Sequence, residues 1–125
     1  MKIAIPSDDG ARVAGHAGQA RHWLIYDNDT AAAQPRRIEL DKPQVLHHWK
    51  DQGPHPLDGV DVIVAASAGD GFVRRMTKRG VEVVLTGERD AGRAAAAVRS
   101  GERLPKPPFN PHLLLCKLRD LFSPH

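Results

Sequence analysis

Seven histidines are spread along this 125-residue chain: His16, His22, His47, His48, His55, His112 and His125. Imidazole is the side chain best suited to borderline metals such as iron and zinc, and it changes charge near neutral pH. Four of the seven, His16, His47, His48 and His55, fall where the sequence has turn character. His16 opens the stretch HAGQARHWLIYD, residues 16–27, beside Ala17 and Gly18 and just ahead of a strand-like run. His47, His48 and His55 lie in LHHWKDQGPHPLDG, residues 46–59, whose spacing matches no zinc-finger pattern. These four are the candidate metal ligands. His22 alternates with the core face of a strand and should be half-exposed. His125 is terminal.

A second candidate is SAGDG, residues 67–71, between an apolar run and a helical pattern. Such a loop offers backbone N–H groups and a positive helix end to an anion. A tight strand-to-helix connection uses the same small residues, so both uses stay open. There is no GxGxxG, no GxxxxGK[ST] and no GxSxG. Asp8, Asp9, Asp58, Asp61 and Asp70 could meet at strand ends to hold Mg²⁺, the requirement of a metal-dependent hydrolase or nuclease. Their spacing follows no known pattern, and turns use Asp on its own account. The single cysteine, Cys116, excludes an internal disulfide and fits a reducing compartment.

The elements that must position these groups follow from periodicity. Residues 2–5, 21–27, 36–40, 60–66 and 81–85 read as strands, the second and third as a hairpin. Val60–Ala66 is apolar apart from Asp61, as expected of a strand covered on both faces. Helices are expected over 72–79, ended by Gly80, and over about 90–100, stopped by Gly101. The β-α-β-α order over 60–100 is a parallel unit with a right-handed crossover. Residues 41–59 read as an irregular loop with a helical turn near 45–50. The tail differs: it holds half of the ten prolines, and Leu113, Leu114, Leu118, Leu121 and Phe122 form an apolar stripe on a terminal helix.

The totals narrow the function classes. The net charge of +3, without a Lys/Arg stripe, gives no support to a nucleic-acid partner. No apolar run is long enough to cross a membrane, and the start is too short for a signal peptide, so a cytoplasmic protein is expected.

MKIAIPSDDG, HAGQARHWLIYD, VDVIVAASAGDGF and RGVEVVLTGERDAGRAAAAVRSGERL, in that order, resemble the dinitrogenase iron–molybdenum cofactor biosynthesis family. These are the small NifX/NafY-type proteins, also found as the C-terminal domain of some NifB proteins. The likeness spans roughly residues 1–104, with residues 105–125 forming a Pro-rich linker and tail helix beyond it. Family members typically read His-Phe-Gly-Arg-Ala where this chain has His16-Ala17-Gly18-Gln19-Ala20, so an aromatic wall and a positive charge are missing here. Asp70 adds a carboxylate to the family's glycine-rich turn.

The resemblance implies an α/β fold of the ribonuclease H-like type, a mixed sheet of about five strands flanked by helices. It also implies a non-enzymatic protein that binds iron–molybdenum cofactor, or an iron–sulfur precursor, and hands it to nitrogenase or to cofactor-assembly proteins. His16 maps onto the family's candidate cluster ligand. Gly18, Ser67, Gly69, Gly71 and Gly87 would gather with it at the C-terminal edge of the parallel strands, where ligands of open α/β sheets collect. The rival readings are the metal-dependent hydrolase and a cofactor-free interaction module docking or dimerising through the tail stripe.

Overall fold

The computed structural model describes residues 1–27, 35–49 and 54–106. Among these the chain forms β1 (Ile3–Pro6), β2 (His22–Tyr26), β3 (Arg36–Glu39), β4 (Val62–Ala65), α1 (Asp70–Lys78), β5 (Glu82–Leu85) and α2 (Ala91–Ser100). The expected tail helix lies outside the described residues. All five strands form one sheet in the order β3-β2-β1-β4-β5. β1 pairs antiparallel with β2 and parallel with β4, β2 pairs antiparallel with β3, and β4 pairs parallel with β5. This is the mixed α/β sheet that the sequence predicts.

Alternation along the strands builds two cores. Ile3, Ile5, Leu24, Val62 and Val64 face Ala91, Ala94 and Ala95 of α2. Ala4, Trp23, Ile25, Ile63 and Ala65 face Met76 of α1 together with Leu40, Leu46 and Leu57. β4 is buried at every position, because helices cover both of its faces. The alanines of α2 let that helix lie close to the sheet, with Ala91 and Ala94 fully buried.

Several boundaries differ from expectation for local reasons. α1 starts at Asp70, not at residue 72, because Gly69 takes the extended N-cap conformation and Asp70 meets the positive helix end. Pro6 ends inside β1, opposite Trp23, where its carbonyl accepts the Ala14 N–H at 2.7 Å and no donor is required of it. Two short 3-10 turns, Ala17–Gln19 and Lys42–Gln44, replace what reads as plain loop. The second is closed by a capping box between Asp41 and Gln44.

Because β1, β4 and β5 run parallel, the loops after them meet at one edge. Val13 N–H donates to the Arg89 carbonyl at 2.8 Å, Ala91 N–H to Ala11 at 2.9 Å, and Ala66 N–H to Ala14 at 3.0 Å. Thr86 and Gly87 are tied at that edge to the chain that follows α2. The Thr86 hydroxyl donates to the Pro105 carbonyl at 2.7 Å, and Gly87 N–H to the same oxygen at 3.0 Å. No described helix is long and apolar enough to cross a membrane.

Asp90 caps α2, its carboxylate accepting the Arg93 N–H at 2.8 Å. Asp90→Ala should lower stability by about 1 kcal/mol, seen as a lower urea midpoint at unchanged slope. Asp9 organises the turn after β1. The Arg12 N–H, then the Ala11 N–H, hold its carboxyl below the usual carboxylate range. A lowered folded value means that these bonds contribute fully above the unfolded value and are lost as pH falls through the folded one. The wild-type turn should therefore loosen only in strong acid, read as amide exchange at Arg12, whereas Asp9→Asn should remove that acid step.

Candidate functional site

His16 is placed by its backbone. It sits at φ 53°, ψ 52°, and is the sole non-glycine residue with positive φ among the described residues. That left-handed conformation turns the chain from the β1 loop into the 3-10 turn Ala17–Gln19. Ser67 clasps the turn twice: its hydroxyl accepts the His16 N–H at 2.8 Å, and its carbonyl accepts the Ala17 N–H at 3.2 Å. The clasp requires glycine at residue 15, where an added Cβ would stand 2.5 Å from the Ser67 hydroxyl oxygen. Ala17 is fully buried beneath, so the turn is anchored while the His16 residue stays exposed.

An open groove of about 480 Å³ begins at His16 and is lined also by Gly18, Gln19, Leu46, His47, Gly69, Gly71, Phe72 and Arg75. Three elements make it: the His16 turn, the turn bearing His47, and the first two turns of α1. His47 N–H donates to the Gly18 carbonyl at 2.6 Å, which joins two of them. Gly18 also closes against α1, since an added Cβ would lie 3.4 Å from Phe72. At Gly69 and Gly71 an added Cβ would meet nothing within 4 Å. These two glycines therefore leave open space rather than serving internal packing.

The structure thus brings together His16, Gly18, His47, Gly69 and Gly71 of the predicted set. The others stand apart. Ser67 braces the His16 turn instead of lining the groove. Gly87 spends its N–H on Pro105. His48 is exposed outside the groove, its ring 5.2 Å from that of His47 in an edge-on arrangement. His55 is buried, and both ring nitrogens are committed to backbone: Nδ1 accepts the Leu57 N–H at 3.0 Å, and Nε2 donates to the Gln44 carbonyl at 2.7 Å. A buried ring in that state shapes its loop, with Trp49 packed edge-on at 4.7 Å, and has no lone pair left for a metal. His22 is exposed, beyond the half-exposure expected of it. His112, Cys116 and His125 lie outside the described residues.

Phe72 and Arg75 are the groove residues that sequence reasoning passes over. The signal is present: Phe72, Arg75 and Met76 lie at i, i+3 and i+4 on one side of α1. The aromatic surface and the positive charge absent at Ala17 and Gln19 therefore reach the groove from the helix. Asp70 does not line it; its carboxylate sits in the first turn of α1.

The carboxylates are dispersed. Asp61 accepts the Lys2 N–H at 2.8 Å, Asp58 accepts the His55 N–H at 2.8 Å, and Asp9 serves its own turn. No group of three His, Cys, Asp or Glu side chains suited to a metal ion occurs among the described residues. The groove offers two imidazoles and a helix N-terminal turn, a donor set suited to a ligand that brings most of its own coordination with it.

No curated protein matches significantly. Solved structures share the fold: the crystal structure of the protein PH0822 superposes with a TM-score of 0.62 at 20% identity, covering 83% of this chain and 96% of that one. The solution structure of a Thermotoga protein described as a NifB candidate gives 0.55 at 21% identity, covering 87% and 96%. The crystal structure of a dinitrogenase candidate from Methanocaldococcus jannaschii gives 0.59 at 17% identity, covering 86% and 97%. The model of the family described as dinitrogenase iron–molybdenum cofactor matches residues 1–101, and the chain belongs to that family.

Proposed function

We propose that this protein is a carrier for an iron–sulfur precursor of the iron–molybdenum cofactor, or for the cofactor itself, and that the cargo binds in the groove headed by His16. The observation that carries the reading is the conformation of His16. A left-handed non-glycine residue costs about 1–2 kcal/mol, and such strain is kept where it serves a site. Here it sets an exposed imidazole at the mouth of an open groove. His16 supplies the protein's nitrogen ligand, and His47 supplies a second from the facing turn. Phe72 gives an apolar wall, and the first N–H groups of α1 answer the negative charge of a sulfide-bridged cluster. Few protein ligands and many weak donors suit cargo that must leave again, so the role is binding and transfer, without catalysis. The recipients in this reading are nitrogenase or cofactor-assembly proteins.

The test is anaerobic loading with ferrous iron and sulfide, read as iron per chain and visible absorbance. Wild type should take up cluster; His16→Ala should lose uptake at least fivefold, and His47→Ala by a smaller factor. Uptake by His16→Ala equal to wild type would sink the proposal.

Stability and binding should also part at this residue. Glycine relieves the left-handed strain of about 1–2 kcal/mol but adds about 0.5–1 kcal/mol of unfolded-state entropy. His16→Gly should therefore fold as well as wild type, or better by about 0.5 kcal/mol in urea melts, while losing cluster uptake to the same extent as His16→Ala.

A further inference from the structure

His47 reaches the groove from a turn that α1 holds in place. Nη1 of Arg75 donates to the Leu46 carbonyl at 2.7 Å, and Nη2 donates to the Trp49 carbonyl. These two carbonyls flank His47 and His48, so one guanidinium spans the whole turn. The same turn is pinned on its other side by His47 N–H to the Gly18 carbonyl at 2.6 Å. Arg75 stands one helical turn beyond Phe72 and Gly71, which line the opposite wall. The facing walls of the groove are therefore linked through this side chain. A planar fork can satisfy two separated carbonyls at once, whereas an ammonium on a flexible stem is a point donor.

We infer that Arg75 is a positioning residue that fixes His47 against the His16 turn, and that through this hold it sets how long cargo stays in the groove. The second clause rests on the carrier reading; the first does not. Arg75 acts through the two carbonyls, and His47 is the group whose place it decides.

The experiment has two arms, on wild type, Arg75→Ala, Arg75→Lys, His47→Ala and the double variant Arg75→Ala/His47→Ala. The first arm is amide hydrogen exchange of the cluster-free protein. Exchange at His47 should accelerate at least tenfold in Arg75→Ala and by an intermediate factor in Arg75→Lys, with Ile5 and Val64 in the strands unchanged. If Arg75→Ala loses protection throughout, Arg75→Lys provides the comparison. Unchanged exchange at His47 in a folded Arg75 variant overturns the inference. The second arm is loss of iron from cluster-loaded protein to a ferrous chelator. Release should be several-fold faster in Arg75→Ala and in His47→Ala, and no faster in the double variant than in the quicker single one. Losses that multiply in the double variant overturn positioning, because Arg75 would then act on the cargo independently. A wild-type chain that takes up no cluster overturns the carrier reading and the retention clause with it, while the exchange arm still decides whether Arg75 holds the turn.

Discussion

Parallel pairing of β1 with β4 is the constraint on which the rest of the molecule depends. It puts the exits of both strands at the same edge, side by side, so the loop carrying His16 meets the loop carrying Ser67. An antiparallel arrangement would send the two loops to opposite ends of the sheet. The pairing demands a strand apolar on both faces, which Val62, Ile63, Val64 and Ala65 supply. From that contact the remaining pieces follow: the double clasp by Ser67, the left-handed turn at His16, and the seating of Gly18 against α1.

Much of this was legible in the residues. The apolar β4 run and the β-α-β-α order identify a mixed α/β sheet, and the wide convergence of loops at one edge follows from it. His16 stands out because a histidine among small residues precedes a strand that has no need of it. What was not legible is of one kind, namely which side chain spends its polar atoms on its own backbone. His47, His48 and His55 look alike in LHHWKDQGPHPLDG, yet His55 is consumed by Gln44 and Leu57 while His47 lies on the groove. That sorting depends on a contact between residues far apart along the chain, His55 with Gln44, which periodicity does not encode. Gly87 fails as a groove donor for the same reason, its N–H being taken by Pro105. Arg75 escapes notice because a basic residue on a helix reads as solvated until its carbonyl partners are seen.

In the carrier role proposed above, the donor count has a physical meaning. A closed set of four ligands would bind a metal centre with a free energy that transfer must then repay. A groove with two imidazoles and several N–H groups spreads the interaction over weak contacts that a recipient can replace one at a time. The rigidity needed for this comes from the scaffold around the groove, through the Ser67 clasp, the His55 brace and the Arg75 fork, and adds nothing to the coordination itself.

The sheet also partitions what a mutation can do. Its α2 side is sealed by small residues, with Ala91, Ala94 and Ala95 set directly against Ile3, Ile5 and Val64. Substitutions there act first on how firmly the domain holds together, and through Val13 on the loop that leads to His16. On the α1 side, Trp23 of β2 and Met76 of α1 lie in the core against which Phe72, a groove residue, is packed, so repacking it bears on the groove as well. Sequence drift against α2 can be absorbed by small residues of that layer, whereas drift against α1 reaches the wall of the groove.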